Sequence, residues 1–160
     1  MAGADLTISG SMIVGTLIVQ NAGTVHVGSG PVQWRPAKPG LPALVVDGNV
    51  TLSFSRFALN ERELNVNLNP SGTPDELGST DTSMNDFYMP EIRGLIFASG
   101  DVLVEGDVVL NGTVLAGDDL TLRQRVTINR TPNLQTVPRT STHSMQSFIR
   151  ESGSMTRSFD

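Results

Sequence analysis

The sequence predicts an all-β chain, a single-stranded parallel β-helix (β-solenoid) of about 18 residues per turn, with two loop insertions and a C-terminal tail or short capping helix. Three observations predict it. Residues 18 apart match in type, as in Ile92/Leu110, Gly94/Gly112, Ile96/Val114, Val102/Leu120, Val108/Val126 and Asn111/Asn129. Within each 18 there is a six-residue beat. One series runs Ile96, Val102, Val108, Val114, Leu120, Val126, and a second, two positions on, runs Ala98, Val104, Leu110, Ala116, Leu122, Ile128. Glycines (Gly94, Gly100, Gly106, Gly112, Gly117) fall between the apolar pairs.

Apolar residues at i and i+2 share one face of a strand. Repeating that pair every six residues gives short strands joined by corners, and three sides close one turn. Successive turns then stack about 4.8 Å apart through parallel backbone pairing, and each buries its apolar layer on the next. A helix is the competing reading. It fails because β-branched residues alternate and glycine recurs at short intervals.

The same grammar predicts earlier strands. Leu6, Met12 and Ile18 keep the six-step, with Ile8 and Val14 as partners, and Val25 and Val27 follow one residue late. Residues 43–54, "ALVVDGNVTLSF", read as apolar pair, turn, apolar pair. "ELNVNLNP" alternates Leu64, Val66 and Leu68 and reads as another strand. The solenoid is therefore expected over 1–129, with insertions at 28–41 and 69–90. The first is rich in proline and glycine and holds Trp34, read as a side chain covering the solenoid or as a stacking residue for a sugar or partner. The second is polar and acidic. Residues 130–160 read as a polar tail with one helical stretch, 141–151, able to close an open end.

Composition excludes several classes. With 160 residues the chain is one domain's worth. No cysteine is present, so disulfides, thiolate metal sites and cysteine nucleophiles are ruled out. A net charge of −5 and a single lysine, Lys38, argue against a nucleic-acid groove. The N-terminal stretch has no basic n-region, and its apolar run is broken by glycine, so it is neither a signal peptide nor a membrane span. The strand pattern starts at once, which leaves room for a targeting segment upstream in a longer protein. The expected location is the cytoplasm, or the cell surface if the chain is a fragment of a longer protein.

Few residues point to chemistry. Asp101, Asp118 and Asp119 gather near one corner, where solvated turn roles compete with a calcium site built from carboxylates. Glu105 over Arg123 and Asp107 over Arg125 read as stacked ion pairs. His26 is the one histidine placed on the solenoid. No nucleophile elbow, phosphate loop or HExxH occurs, so no catalytic residue is assigned and the protein reads as non-enzymatic. Phe97, Leu103, Val109 and Leu115 point away from the apolar series, as a surface for self-association or for cover by a loop.

The stretch "GLIFASGDVLVEGDVVLNGTVLAGDDLTL" resembles bactofilins, bacterial cytoskeletal β-helices that polymerise end to end without nucleotide. It is also similar to β-helical ectodomains of bacterial pilin-like and surface proteins. The resemblance covers 91–129 and is weaker over 6–27 and 44–54; the two insertions depart from the bactofilin plan. It implies a structural or scaffold protein whose partner is itself or another envelope or cytoskeletal protein. The alternatives are a carbohydrate-binding or pectate-lyase-like surface using Asp101, Asp118, Asp119 and Trp34, and a hexapeptide acyltransferase using His26.

Overall fold

A computed structural model describes residues 3–53, 56–73 and 78–130. The chain is an all-β parallel β-solenoid that advances by about 21 residues per turn. The expected tail helix at 141–151 lies outside the described residues.

The first turn is made by β1 (Ala4–Ile8), β2 (Ser11–Val14) and β3 (Leu17–Val19), and the second by β4 (Ala22–Gly28), β5 (Val32–Arg35) and β6 (Pro42–Val46). The chain then runs through β7 (Asn49–Ser53) and leaves the coil. It makes β8 (Leu59–Asn60), α1 (Glu61–Leu64) and β9 (Phe87–Tyr88), and returns at β10 (Glu91–Ala98). β11 (Val102–Glu105), β12 (Val108–Ala116), β13 (Leu120–Arg123) and β14 (Val126–Asn129) complete it.

The strands stack into three faces. On the first the order is β1-β4-β7-β11-β13, five rungs deep. On the second it is β2-β5-β10-β12-β14. β3, β6 and the C-terminal halves of β10 and β12 form the third. All of these pairings are parallel, as a coil that always winds the same way requires. β10 and β12 each serve two faces because they bend at Gly94 and Gly112, which lie in register one above the other.

The inner columns are continuous aliphatic stacks. Val25, Val50 and Val102 form one, and Val27, Leu52 and Val104 the next, all at 1 % exposure or less. Trp34, Ile92 and Leu110 stack on the second face, and Leu44 and Ile96 on the third. Each such side chain contributes about 1.5–3 kcal/mol by leaving water.

The 18-residue spacing holds where the sequence is most regular. It links Ile92 to Leu110 and Leu110 to Ile128. Earlier turns are longer, with Ile13 over Trp34 (21 apart) and Val25 over Val50 (25 apart). The extra residues sit in corners, where Gly10, Gly15, Asn21 and Ser29 take positive φ.

Three sequence expectations are corrected. In the first turn Ile13, Leu17 and Val19 pack on the core, while Val14 and Ile18 are exposed. The stretch 28–41 is not all loop, for it supplies β5, with Pro31 and Pro36 just outside the strand where a missing N–H does no harm. "ELNVNL" is not a strand. Its first four residues form α1, capped by the Asn60 side chain on the Arg62 N–H at 3.0 Å and ended by Asn65 in the left-handed region. The excursion therefore opens before residue 59, and the two-residue antiparallel ribbon of β8 and β9 draws its ends together.

Gly112 is fixed by this stacking. A Cβ there would fall on the Gly94 carbonyl, well inside contact distance. Gly112→Ala is expected to lower the melting temperature by several degrees, about 1–3 kcal/mol of overpacking. Gly72→Ala meets no nearby atom, although its φ of +89° adds backbone strain. Thermal melts of both variants check this, and an unchanged Gly112→Ala melt would contradict the stacking at that corner.

Candidate functional site

Two regions stand out from the regular coil, the last rung and the excursion. At the last rung the inner columns run out of cover. Leu120 and Leu122 lie under Val102 and Val104, and Ile128 under Leu110. The upper members are at 1 % exposure or less, whereas Leu120, Leu122 and Ile128 are 44 %, 50 % and 40 % exposed. Among the described residues β13 and β14 are terminal strands of their sheets, and no described strand pairs one backbone edge of each. The first rung mirrors this, with β1 and β2 terminal and Leu6 exposed above a fully buried Val25.

A polar corner runs the length of the first face. Asp5, Thr24, Asn49, Asp101 and Asp119 occupy its successive rungs. Asp5 Oδ1 accepts from the Thr24 N–H at 2.8 Å, Asn49 Oδ1 from the Asp101 N–H at 2.9 Å, and Asp101 Oδ1 from the Asp119 N–H at 3.0 Å. Asp5, Asn49 and Asp101 thus each cap the backbone of the next rung. This is the placement of the aspartates singled out in the sequence. Asp101 and Asp119 are stacked as expected and Asp118 is adjacent, but the Asp101 carboxylate is engaged by backbone. Among the described residues no group of three or more acidic or histidine side chains is arranged to hold a metal ion. A second ladder lies on the second face, where Asn129 Nδ2 donates to Asn111 Oδ1 at 2.9 Å and Asn111 Nδ2 donates to Glu91.

Other sequence-predicted residues are dispersed. Trp34 is fully buried in the inner column between Ile13 and Ile92, and its Nε1–H donates to the Gly15 carbonyl at 3.1 Å. Its ring is part of the core and offers no face to a ligand. Phe97 and Leu115 are neighbours on the third face, in register with Val45 and Ile18. Leu103 is on the first face between Thr51 and Thr121, and Val109 is on the second beside Thr127, so the four do not make one patch. His26 is exposed on β4 between Thr7 and Thr51. Glu105 is in register with Arg123, but Asp107 meets Arg56 of the excursion at 3.6 Å rather than Arg125.

The excursion was not legible as a site in the sequence. At its centre Glu61 is fully buried. Its Oε1 accepts from the Leu68 N–H at 2.6 Å and from the Tyr88 hydroxyl at 3.4 Å, and its Oε2 from the Asp86 N–H at 3.1 Å. Asp86 in turn accepts from Asn69 Nδ2 at 3.0 Å. These bonds knit the excursion to itself, and it lies over the outer side of the second face, where Gln33 is only 6 % exposed although it points away from the core. Between excursion and coil lies a cleft of about 640 Å³ whose lining includes Gln33, Asn69, Asp86, Phe87, Glu91 and Arg93.

Fold and surfaces together define a parallel β-solenoid with one side excursion. Comparison with protein-family models, curated proteins and solved structures found no match. Among the described residues no helix is long and apolar enough to cross a membrane.

Proposed function

We infer that the protein is a non-enzymatic structural solenoid that associates end to end with copies of itself. One observation carries this reading: the same inner columns that are dry at Val102, Val104 and Leu110 are about half exposed one rung later, at Leu120, Leu122 and Ile128. A further rung against them would bury each, a gain of roughly 1 kcal/mol per side chain. It would also pair the backbone edges of β13 and β14 that no described strand pairs, and such edges invite association.

The first rung offers matching chemistry, with Leu6 and Ile8 at the same column positions. The polar corner supports the same geometry. Asp5, Asn49 and Asp101 at that corner each serve the N–H of the rung that follows, and among the described residues no rung follows Asp119. A head-to-tail neighbour would bring its Asp5 N–H to that place. Such a contact is heterologous and propagates as a filament unless a rotation closes it.

Electron microscopy and sedimentation velocity test the reading. Wild-type protein is expected to form concentration-dependent oligomers or filaments. Leu122→Glu, an exposed position in the fold of one copy, is expected to reduce the assembled fraction at least about tenfold with an unchanged circular dichroism spectrum, because it sets a charge against a dry column. A strictly monomeric wild type at high concentration, or assembly untouched by Leu122→Glu, overturns it.

A further inference from the structure

We propose that the cleft between the excursion and the second face binds a neutral oligosaccharide, with Phe87 as its stacking platform and Gln33, Asn69, Asp86, Glu91 and Arg93 as its polar contacts. The inference is independent of end-to-end assembly, since the cleft lies on the side of the coil.

Four features of the cleft favour this ligand. Its volume, about 640 Å³, is that of a small-ligand site, for which about 300–1,000 Å³ is usual. The Phe87 ring is 68 % exposed at its wall, although the neighbouring Tyr88 is 7 % exposed in the same short strand. A flat exposed ring beside convergent polar groups suits a pyranose, which presents an apolar C–H face and a rim of hydroxyls.

The polar groups are also held in place before any ligand arrives. Asp86 is fixed by Asn69 Nδ2 at 3.0 Å, and Glu91 by Arg93 at 2.6 Å and by the Asn111 ladder. Glu91 is tightly enclosed, its side chain 13 % exposed. Preorganised planar carboxylate, amide and guanidinium groups match vicinal hydroxyls with little ordering on binding.

Finally, Asn69 Oδ1 is buried and accepts no hydrogen bond within the protein. Its Nδ2 is committed to Asp86, so an amide flip does not relieve it. A hydroxyl donor entering the cleft and seated against Asn69 does. The cleft's charges, Asp81, Asp86 and Glu91 against Arg93, repel an anion, and the Arg93–Glu91 pair neutralises one of the three acids toward a cation. A ligand that both donates and accepts fits the mixture of amides, acids and guanidinium best.

Saturation-transfer difference NMR on the full-length chain tests this whether the protein is monomeric or assembled. The probes are β-1,4-linked hexasaccharides of glucose, xylose and N-acetylglucosamine, with spermidine as the cationic comparison. At least one hexasaccharide is expected to show saturable transfer. Phe87→Ala is expected to raise its Kd about five- to tenfold, as loss of one stacking face would. Phe57→Ala, an equally exposed aromatic of the excursion that is not in this cleft's lining, is expected to leave Kd unchanged. No transfer to any of the three hexasaccharides, transfer to spermidine alone, or a Kd indifferent to Phe87→Ala overturns the proposal.

Discussion

Trp34→Ala is expected to lower the stability of the whole solenoid by about 3–5 kcal/mol, the usual range for emptying an aromatic site in a core. Trp34 is fully buried, and its inner column runs from Ile13 through Ile92 to Leu110. Alanine leaves a cavity in the second turn, between Ile13 and Ile92, which strands of one coil cannot close without losing their common register. The Gly15 carbonyl also loses the indole N–H that reaches it at 3.1 Å. Chemical denaturation checks this, with Trp34→Phe as a second variant expected to recover most of the loss. A midpoint for Trp34→Ala near that of the wild type would show that the indole does not sit in the column.

Glu61→Ala is expected to act more locally. Removing that carboxylate strands the Leu68 and Asp86 N–H groups and takes away an acceptor of the Tyr88 hydroxyl. Each buried donor left without a partner costs about 1–3 kcal/mol. The cost falls on the excursion, which is tied to itself by the two-residue ribbon of β8 and β9. Hydrogen exchange should therefore accelerate strongly in 59–69 and 86–88 while β4, β7 and β11 stay protected. Glu61→Gln keeps one acceptor oxygen and is expected to lie between alanine and wild type. Equal exchange in the two regions, or none gained in either, would mean that Glu61 is not the hub of the excursion.

How much of this was legible depends on the stretch. From Ile92 to Asn129 the sequence repeats at 18 without a break, so both the strands and their partners could be named, down to Val102 over Leu120. The first turn defeated the same reading because "SMIV" and "TLIV" are apolar at consecutive positions. Alternation then fits either phase, and Ile13, Leu17 and Val19 went inward instead of Val14 and Ile18. Trp34 was hidden by its prolines, which suggested loop although they lie just outside the strand. "ELNVNL" alternated like a strand, and the signals that outweighed it were asparagines at both ends, Asn60 and Asn65, each suited to a helix cap.

The candidate cleft had weaker signals still. Its polar members Gln33, Asn69, Asp86 and Glu91 come from three separate segments, and only the return of the excursion against the second face gathers them. The aspartates of the polar corner were found as a group, yet their role was decided by the backbone amides one rung away. Phe97, Leu103, Val109 and Leu115 share an outward phase in the sequence, but the coil turns them onto three different faces.

The sequence by itself determined that this chain forms short strands with an apolar pair on one side, repeated closely enough to wind into a parallel coil. That follows from local geometry, since alternation sets a strand's faces and a turn every few residues sets its length. The tertiary structure alone decided which of two apolar phases faces the interior in the first turn, that a proline-flanked tryptophan completes the core, and that a buried glutamate knits an excursion together beside the coil. Those outcomes depend on neighbours 21 to 58 residues away in the coil and 7 to 27 residues away in the excursion, and packing between such partners leaves no local period in the chain.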